Sequence, residues 1–369
     1  MNLEFFTDPL FCVRAMVEIQ DSRPDPIKAI ALYSGGLDST LAILVAMRLG
    51  IEVTAVTFLT NFGCDISDKS SCSKDPFSAA GKFGFEVKLC HLADKFVDIV
   101  KNPRFGHGKN MNPCMDCRIL MLKEAKELMK MRGADFIITG EVIGQRPMSQ
   151  RRDTFPVIDR EAGLAGYVLR PLCAKKLKIT VPEQTGIVDR EKLYDFNGRS
   201  RKPQMALAEE FGLTDYPAPA GGCLLTDPLY SHRLKELFGN NPSPSVKDIN
   251  LLRLGRHFRM SSGSRAIVGR DEQENNVIQA MADSGDYLMW VEDFGSPMTI
   301  VCGAASDDAL GLAASICARY SDAKNLPSVE VSVSWNEETS RMQVKPAANE
   351  TIEKYMIKRP DVASKGFTV

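Results

Sequence analysis

Residues 29–50 read AIALYSGGLDSTLAILVAMRLG: an apolar run, two glycines, an aspartate among small hydroxyl residues, and a second apolar run closed by glycine. The first run predicts a buried strand, and STLAILVAMRLG predicts a helix ending at Gly50. A strand that turns straight into a helix brings the helix's unpaired backbone N–H groups to the carboxyl edge of a sheet, where ligands bind. The same pattern extends outward. EVTAVTFL predicts a second strand, DPFSAAGKFG a short helix and EVKLCHL a third strand; a long helix over CMDCRILMLKEAKELMKMRG and a strand at DFIITG follow. YVLRPL and the helical RKPQMALAEEFG continue it. Strands alternating with helices predict an α/β fold with a doubly wound parallel sheet.

Residues 1–27, closing on DSRPDP, read as an N-terminal extension; 28–227 as the α/β domain, ending in the Pro/Gly cluster YPAPAGGCLL; and 228–369 as a smaller α+β domain. A chain of 369 residues fits two or three domains at roughly 100–200 residues each. Lys and Arg total 46 against 47 Asp and Glu, so the net charge of -1 offers no global field for nucleic acid or an anionic membrane. Any polyanion has to be held by local basic patches. No apolar stretch approaches the ~18 residues of a membrane span, and the N-terminus lacks a signal peptide's basic start, so a cytoplasmic protein with no membrane partner is expected. Ten cysteines are too sparse for a disulfide scaffold and read instead as thiols, metal ligands or catalytic groups.

At the corner itself, Gly35 and Gly36 let backbone amides approach an anion, while Ser34, Ser39 and Thr40 offer hydroxyl donors to phosphate oxygens. Asp38 would repel phosphate unless Mg²⁺ or an amine lay between. No Gly-Lys-Ser/Thr follows, so this is not a Walker loop, nor is it the G-x-G-x-x-G dinucleotide fingerprint. S-G-G-L-D-S after the first strand resembles the pyrophosphate-binding loop of the PP-loop ATP pyrophosphatases. That resemblance implies ATP bound by Ser34, Gly35, Gly36, Asp38, Ser39 and Thr40, adenylation of a substrate oxygen, and release of pyrophosphate.

Cys114 and Cys117, in MNPCMDC, stand three apart at a helix start, where the helix end favours the thiolate. Alone, C-x-x-C fits a redox pair, half a zinc site, two ligands of an iron-sulfur cluster, or packing. Cys223 in PAPAGGCLLT adds a third thiol on a sharply bent loop. Three thiolates would leave one iron of a 4Fe-4S cluster open to an exogenous sulfide. N-P-C-x-x-C, then IITGEVIGQRPMSQ, then VLRPL resembles the tRNA thiouridine synthetases of the PP-loop superfamily, most nearly the 4-thiouridine synthetases. The resemblance puts Thr139, Gly140 and Glu141 at the nucleotide, Gln145, Ser149 and Gln150 on the adjoining segment, and Arg170 and Lys175 at phosphate or substrate. Related thiolation enzymes use either a persulfide and disulfide cysteine pair or a three-cysteine 4Fe-4S cluster; C-x-x-C with a distant single Cys matches the latter, which makes Cys114, Cys117 and Cys223 the cluster ligands, with Asp38 and these cysteines as the catalytic set.

Basic clusters occur at QRRD, AKKLK, NGRSRK and RLGRHFR, which could line a path for tRNA. The C-terminal part resembles the RNA-binding domain of ribosome quality-control factors, through RLGRHFR and a Gly-Arg and Glu-Asn pair at Gly269, Arg270, Glu274 and Asn275. Together these readings lead to an ATP-dependent tRNA sulfurtransferase using Mg²⁺ and a 4Fe-4S cluster, its sulfur drawn from sulfide or a persulfide carrier protein. A homodimer is compatible with them. The competing expectations are a PP-loop enzyme acting on a small molecule and an RNA-binding module whose nucleotide loop is regulatory.

Overall fold

Lys28–Leu32 (β1), buried from Ala29 onward, is the middle strand of a five-stranded sheet in the computed structural model, which describes residues 25–62, 76–217, 223–260, 263–336 and 338–358. α1 (Leu37–Arg48) follows it and has no polar face: nine of its positions, Leu37 and Ser39 to Ala46, are buried, as for a helix enclosed on every side. Gly50, at φ +78°, closes it in a left-handed turn that a side chain would resist. β2 (Glu52–Leu59), α2 (Pro76–Phe83), β3 (Glu86–His91), α3 (Ala93–Lys101), α4 (Cys114–Arg132), β4 (Phe136–Thr139), α5 (Thr154–Glu161), β5 (Val168–Leu169), the short α6 (Val181–Gln184) and α7 (Lys202–Glu210) complete this part of the chain.

The strand order is β3-β2-β1-β4-β5; β1 runs parallel to β2 and β4, and β4 parallel to β5. The chain leaves β1 toward β2 on one side and returns as β4 on the other. The carboxyl ends of β1 and β4 therefore flank the topological switch point, where open α/β sheets bind ligands. One hydrophobic cluster runs from Ala29 and Ala31 through Leu41, Ile43 and Val45 of α1 to Phe136 and Ile138 of β4. Each such Ile, Leu or Phe contributes roughly 1.5–3 kcal/mol through burial, enough to hold the loops at the strand ends in register.

Two compact units divide the chain, and they are not consecutive in sequence. One takes the described residues within Met1–Phe58, Ser73–Cys90 and Arg118–Ala218; the other takes those within Leu59–Cys72, His91–Cys117 and Pro219–Val369. The segment carrying Cys114 and Cys117 thus groups with the C-terminal part, and α4 begins in one unit and continues in the other.

The second unit contains α8 (Pro228–Asn240), α9 (Val246–Leu251), β6 (Arg256–Arg259), β7 (Arg265–Val268), α10 (Glu272–Ala280), β8 (Tyr287–Trp290), β9 (Thr299–Cys302), α11 (Asp307–Tyr320), β10 (Val329–Trp335), β11 (Glu338–Val344) and α12 (Asn349–Tyr355). Its six-stranded sheet runs β11-β10-β8-β9-β7-β6, with antiparallel pairs throughout. Strand alternation decides its two faces. Ala266, Val268, Met289, Val301, Val331 and Val333 pack with Ala313, Ile316 and Cys317 of α11. The intervening Ile267, Ile300 and Cys302 pack with Leu251 and Ile278. Ile357 N–H donates to the His257 carbonyl at 2.8 Å, so the C-terminal segment covers the β6 edge. Among the described residues no helix is long and apolar enough to cross a membrane.

His257 on β6 is fully buried; its Nε2 bonds the Leu254 carbonyl at 2.9 Å and Nδ1 has no partner. Burial first, then the charges of Arg233 and Arg265, push its pKa well below the ordinary 6.5. The imidazole is neutral when folded and charges on unfolding, so its contribution is complete above about pH 6.5 and is lost as pH falls below it. Stability to urea should fall by about 1 kcal/mol between pH 6.5 and 5.5, steepening toward about 1.4 kcal/mol per pH unit below that. His257→Gln should flatten that slope.

Candidate active site

Gly35, at φ +69°, takes the positive-φ conformation of the turn after β1, and Gly36 precedes the first helical residue in extended conformation. Ser39 Oγ and Thr40 Oγ1 both donate to the Gly36 carbonyl, at 2.9 and 3.0 Å, and Ser34 N–H donates to Ser39 Oγ at 3.3 Å. These two hydroxyls, expected to face phosphate, instead brace the turn, and both side chains are buried. The donors left to an anion are the unpaired first-turn N–H groups of α1 and the exposed Ser34, whose Oγ lies 3.3 Å from Ser39 Oγ.

Gly140 explains how closely this turn is met by the end of β4. A Cβ there would lie 2.5 Å from the Asp38 carbonyl oxygen and 2.5 Å from the Ser39 nitrogen, both backbone atoms that cannot swing aside. Just beyond, Gln145 Nε2 donates to Asp38 Oδ2 at 2.9 Å. The other carboxylate oxygen, Oδ1, is buried and has no hydrogen-bond partner. A carboxylate held by one oxygen, with the second orphaned beside a glycine turn, fits a cation such as Mg²⁺ joining it to phosphate.

Thr139 and Glu141 turn the other way, into a buried ion network. Glu141 Oε2 accepts from Thr139 Oγ1 at 3.1 Å and from Arg170 Nε at 3.1 Å, while Arg118 Nε lies 3.3 Å from Oε1. Arg170 also grips Asp159 with both Nη atoms, at 2.9 and 2.7 Å, and its guanidinium carbon sits 4.0 Å from the Phe155 ring centroid. Arg170, expected at phosphate or substrate, is 3% exposed and committed to these two carboxylates. Burial pulls its pKa down, but Glu141 and Asp159 outweigh burial and hold it above the ordinary value. Lys175, the other expected contact, pairs with Glu191 at 3.1 Å. Ser149 and Gln150 are buried, and the Gln150 carbonyl accepts from Gly144 N–H at 2.7 Å. Asp159 and Phe155 carried no sequence signal, because their partner is eleven or more positions away. Arg118, one residue past the C-x-x-C, could have been flagged by that spacing.

In the second unit, Cys114 and Cys117 open α4 behind Pro113, whose carbonyl accepts the Cys117 N–H at 2.8 Å. Asp116 between them accepts the backbone N–H groups of Arg104 and Phe105, both at 3.1 Å, and so anchors the preceding loop. The segment just before these cysteines is tied to the one just after Cys223. Met111 N–H donates to the Leu225 carbonyl at 3.1 Å, and Asn110 Nδ2 donates to the Thr226 carbonyl at 2.6 Å. Thr226 in turn donates its hydroxyl to the Cys223 carbonyl at 2.6 Å. All three cysteines are half-buried. Among the described residues no three His, Cys, Asp or Glu side chains, Cys114, Cys117 and Cys223 included, form a site for a single metal ion. A closed zinc centre is therefore not formed by these thiols as they stand. A cluster makes a different demand, since it spreads its thiolates over separate irons.

Burial raises the thiol pKa of Cys173 to about 11, of Cys302 to about 12 and of Cys317 to about 11, so these behave as small apolar side chains. Cys64, Cys72, Gly221 and Gly222 lie outside the described residues. The Gly-Arg and Glu-Asn pair is architectural. Glu274 accepts the N–H groups of Gly255 and Arg270, at 3.1 and 2.9 Å, and Asn275 Oδ1 accepts from Met298 N–H at 2.9 Å. A Cβ on Gly269 would sit 2.1 Å from Asn275 Oδ1. Two of the clustered cations are also engaged: Arg151 with Asp153, and Arg259 with Glu236.

A parallel sheet with a glycine turn at its switch point, linked to an antiparallel unit, defines the class: an α/β nucleotide-loop domain joined to a second, α+β domain. Residues 26–184 match the thiamine biosynthesis protein (ThiI) family, and residues 255–356 match the NFACT protein RNA binding domain. The α/β part of the chain is thus similar to the ThiI family and the α+β part to the NFACT RNA binding domain. The tRNA-specific 2-thiouridylase MnmA of Thermobifida fusca (strain YX) is 25% identical over 248 residues, which are 63% of this chain and 62% of that protein. A probable tRNA sulfurtransferase of Thermococcus kodakarensis is 28% identical over 154 residues, 39% of this chain and 36% of that one. The chain thus spans less than two thirds of each of these relatives. A solved 4-thiouridine synthetase–RNA complex with bound ATP is 20% identical, covering 51% of this chain and 53% of its own, with a TM-score of 0.32.

Gly140→Ala should force the β4 end away from the Asp38–Ser39 backbone at a cost of about 1–3 kcal/mol. Isothermal titration with ATP should then show at least tenfold weaker binding, with circular dichroism unchanged. Arg170→Met strands two buried carboxylates and should lower stability in urea melts by about 3–5 kcal/mol.

Proposed function

We propose that this protein is an ATP-dependent tRNA sulfurtransferase that replaces a uridine carbonyl oxygen with sulfur. The observation that carries this reading is Asp38, held through one oxygen by Gln145 with the other buried and unpartnered, at a glycine turn within the ThiI-family match. The turn at residues 34–39 binds the β- and γ-phosphates of ATP through backbone N–H groups, with Gly140 keeping the β4 end close against it. Mg²⁺ held by Asp38 would screen that carboxylate from the phosphates and draw charge from the leaving pyrophosphate. The uridine carbonyl oxygen, at C4 or C2, attacks the α-phosphorus and pyrophosphate departs. A sulfide nucleophile then forms the bond to the activated carbon, its proton is released, and AMP leaves carrying the former carbonyl oxygen. Activation turns a poor leaving group into a good one, and the thiol segment supplies a soft nucleophile.

Cys114, Cys117 and Cys223 are proposed as the ligands of a 4Fe-4S cluster. Three half-buried thiols on two mutually hydrogen-bonded segments support this donor set. Held by these three thiolates, the cluster would supply a site to bind the sulfide nucleophile. The NFACT-type domain supports tRNA as the substrate carrier.

Anaerobic purification with iron and sulfide analysis, followed by mass spectrometry of nucleosides from tRNA incubated with ATP and sulfide, tests the reading. Asp38→Ala should abolish pyrophosphate release while leaving iron in place. Cys223→Ala should lose thiouridine and iron while still releasing pyrophosphate with tRNA. Thiolation by Cys223→Ala at the wild-type level would remove the cysteine role, and pyrophosphate release only with a small metabolite would move the substrate away from tRNA.

A further inference from the structure

A surface cavity lies beside β10 and β11 in the second unit. Where β10 and β11 rise past the start of α11, the sheet and helix part around a cavity of about 340 Å³, within the size range of small-ligand pockets. Tyr287, Leu310, Val333, Trp335 and Met342 form its apolar lining, and Asp307, Glu338, Thr339 and Ser340 its polar rim. Tyr287 and Trp335 lie nearly parallel, 13° apart with ring centroids at 5.7 Å, and Trp335 is 45% exposed. An indole that is stacked against Tyr287 and half exposed offers a free aromatic face to a flat partner.

We propose that this cavity takes one unpaired nucleobase of the bound RNA, with guanine preferred. The proposal rests on the RNA-directed reading above, and every lining residue falls within the RNA binding domain match. A parallel aromatic pair offers a face for a planar heterocycle, whereas a cation is enclosed by rings set around it. The rim decides which base. Asp307 and Glu338 are exposed acceptors, and guanine presents adjacent N1–H and N2–H donors, while uracil sets carbonyl oxygens on both sides of its single donor. Ser340 and Thr339 add hydroxyls that can pair with the remaining ring edge. The same carboxylates keep phosphates away, so the base enters with its backbone outside and the contact is stacking and edge recognition, not charge neutralisation.

Fluorescence titration of the full chain with short single-stranded RNAs, together with tRNA binding of variants, tests this. Guanine-containing trinucleotides should quench tryptophan emission more than uracil trinucleotides, and Trp335→Phe should keep binding while losing most of the quench. Trp335→Ala should weaken tRNA binding roughly tenfold. That loss should be equal at low and high salt, whereas overall tRNA affinity falls steeply with salt. Glu338→Gln should narrow the preference for guanine. If the wild type binds tRNA and Trp335→Ala binds it equally well, the pocket plays no such part although the RNA reading stands. Quenching by a lysine-rich peptide and not by RNA would overturn the nucleobase assignment. Failure of the wild type to bind tRNA would remove both.

Discussion

The backbone contact between Gly140 and the Asp38–Ser39 peptide sets the spacing on which the first unit's site depends. β1 and β4 are neighbours in register, so their carboxyl ends emerge side by side. With a hydrogen in place of Cβ at residue 140, the chain leaving β4 can lie directly on the first turn of α1. Gln145 is thereby delivered within hydrogen-bond reach of Asp38, five residues further along the same segment. Any side chain at residue 140 would separate the glycine turn from the segment that orients Asp38.

The neighbouring residue works on the opposite side. Glu141 points away from the turn and gathers Arg170, Arg118 and Thr139, and Arg170 spans from Glu141 to Asp159 with its fork. Such a network stabilises the fold only when complete, because each charge is deprived of water and depends on its partners. A planar guanidinium suits the arrangement: it meets the two Asp159 oxygens while its Nε reaches Glu141 and its face covers Phe155. Residues 139–145 therefore divide their labour, with Gly140 and Gln145 at the turn and Thr139 and Glu141 in the interior.

The second unit shows a similar division. Gly269, Arg270, Glu274 and Asn275 join the β6–β7 region to α10 through backbone amides. The exposed side chains lie elsewhere, among them Trp335 beside the cavity at β10 and β11. Asp116 and Asn110 act in the same architectural way around the cysteine segment, fixing the loop before α4 and tying it to the residues after Cys223.

Much of the α/β architecture was legible in the sequence because strand and helix are encoded locally. Apolar runs bounded by Gly, Asp and Ser marked β1, α1, β2, β3, α4 and β4, and alternation of the two periods implied a parallel sheet. The S-G-G-L-D-S, C-x-x-C and T-G-E stretches were equally visible, since each is a contiguous string. Their side-chain directions were not. Ser39 and Thr40 brace a turn, Arg170 is buried against Glu141 and Asp159, and Asp159 receives its partner from another element; the last two outcomes depend on contacts between residues separated in sequence. The stretch from His91 to Cys117 reads as part of the first domain, yet it groups with the C-terminal unit. Local propensity specifies which segments form elements, whereas long-range packing and satisfaction of buried polar groups decide which segments meet, and only the tertiary structure contains that information.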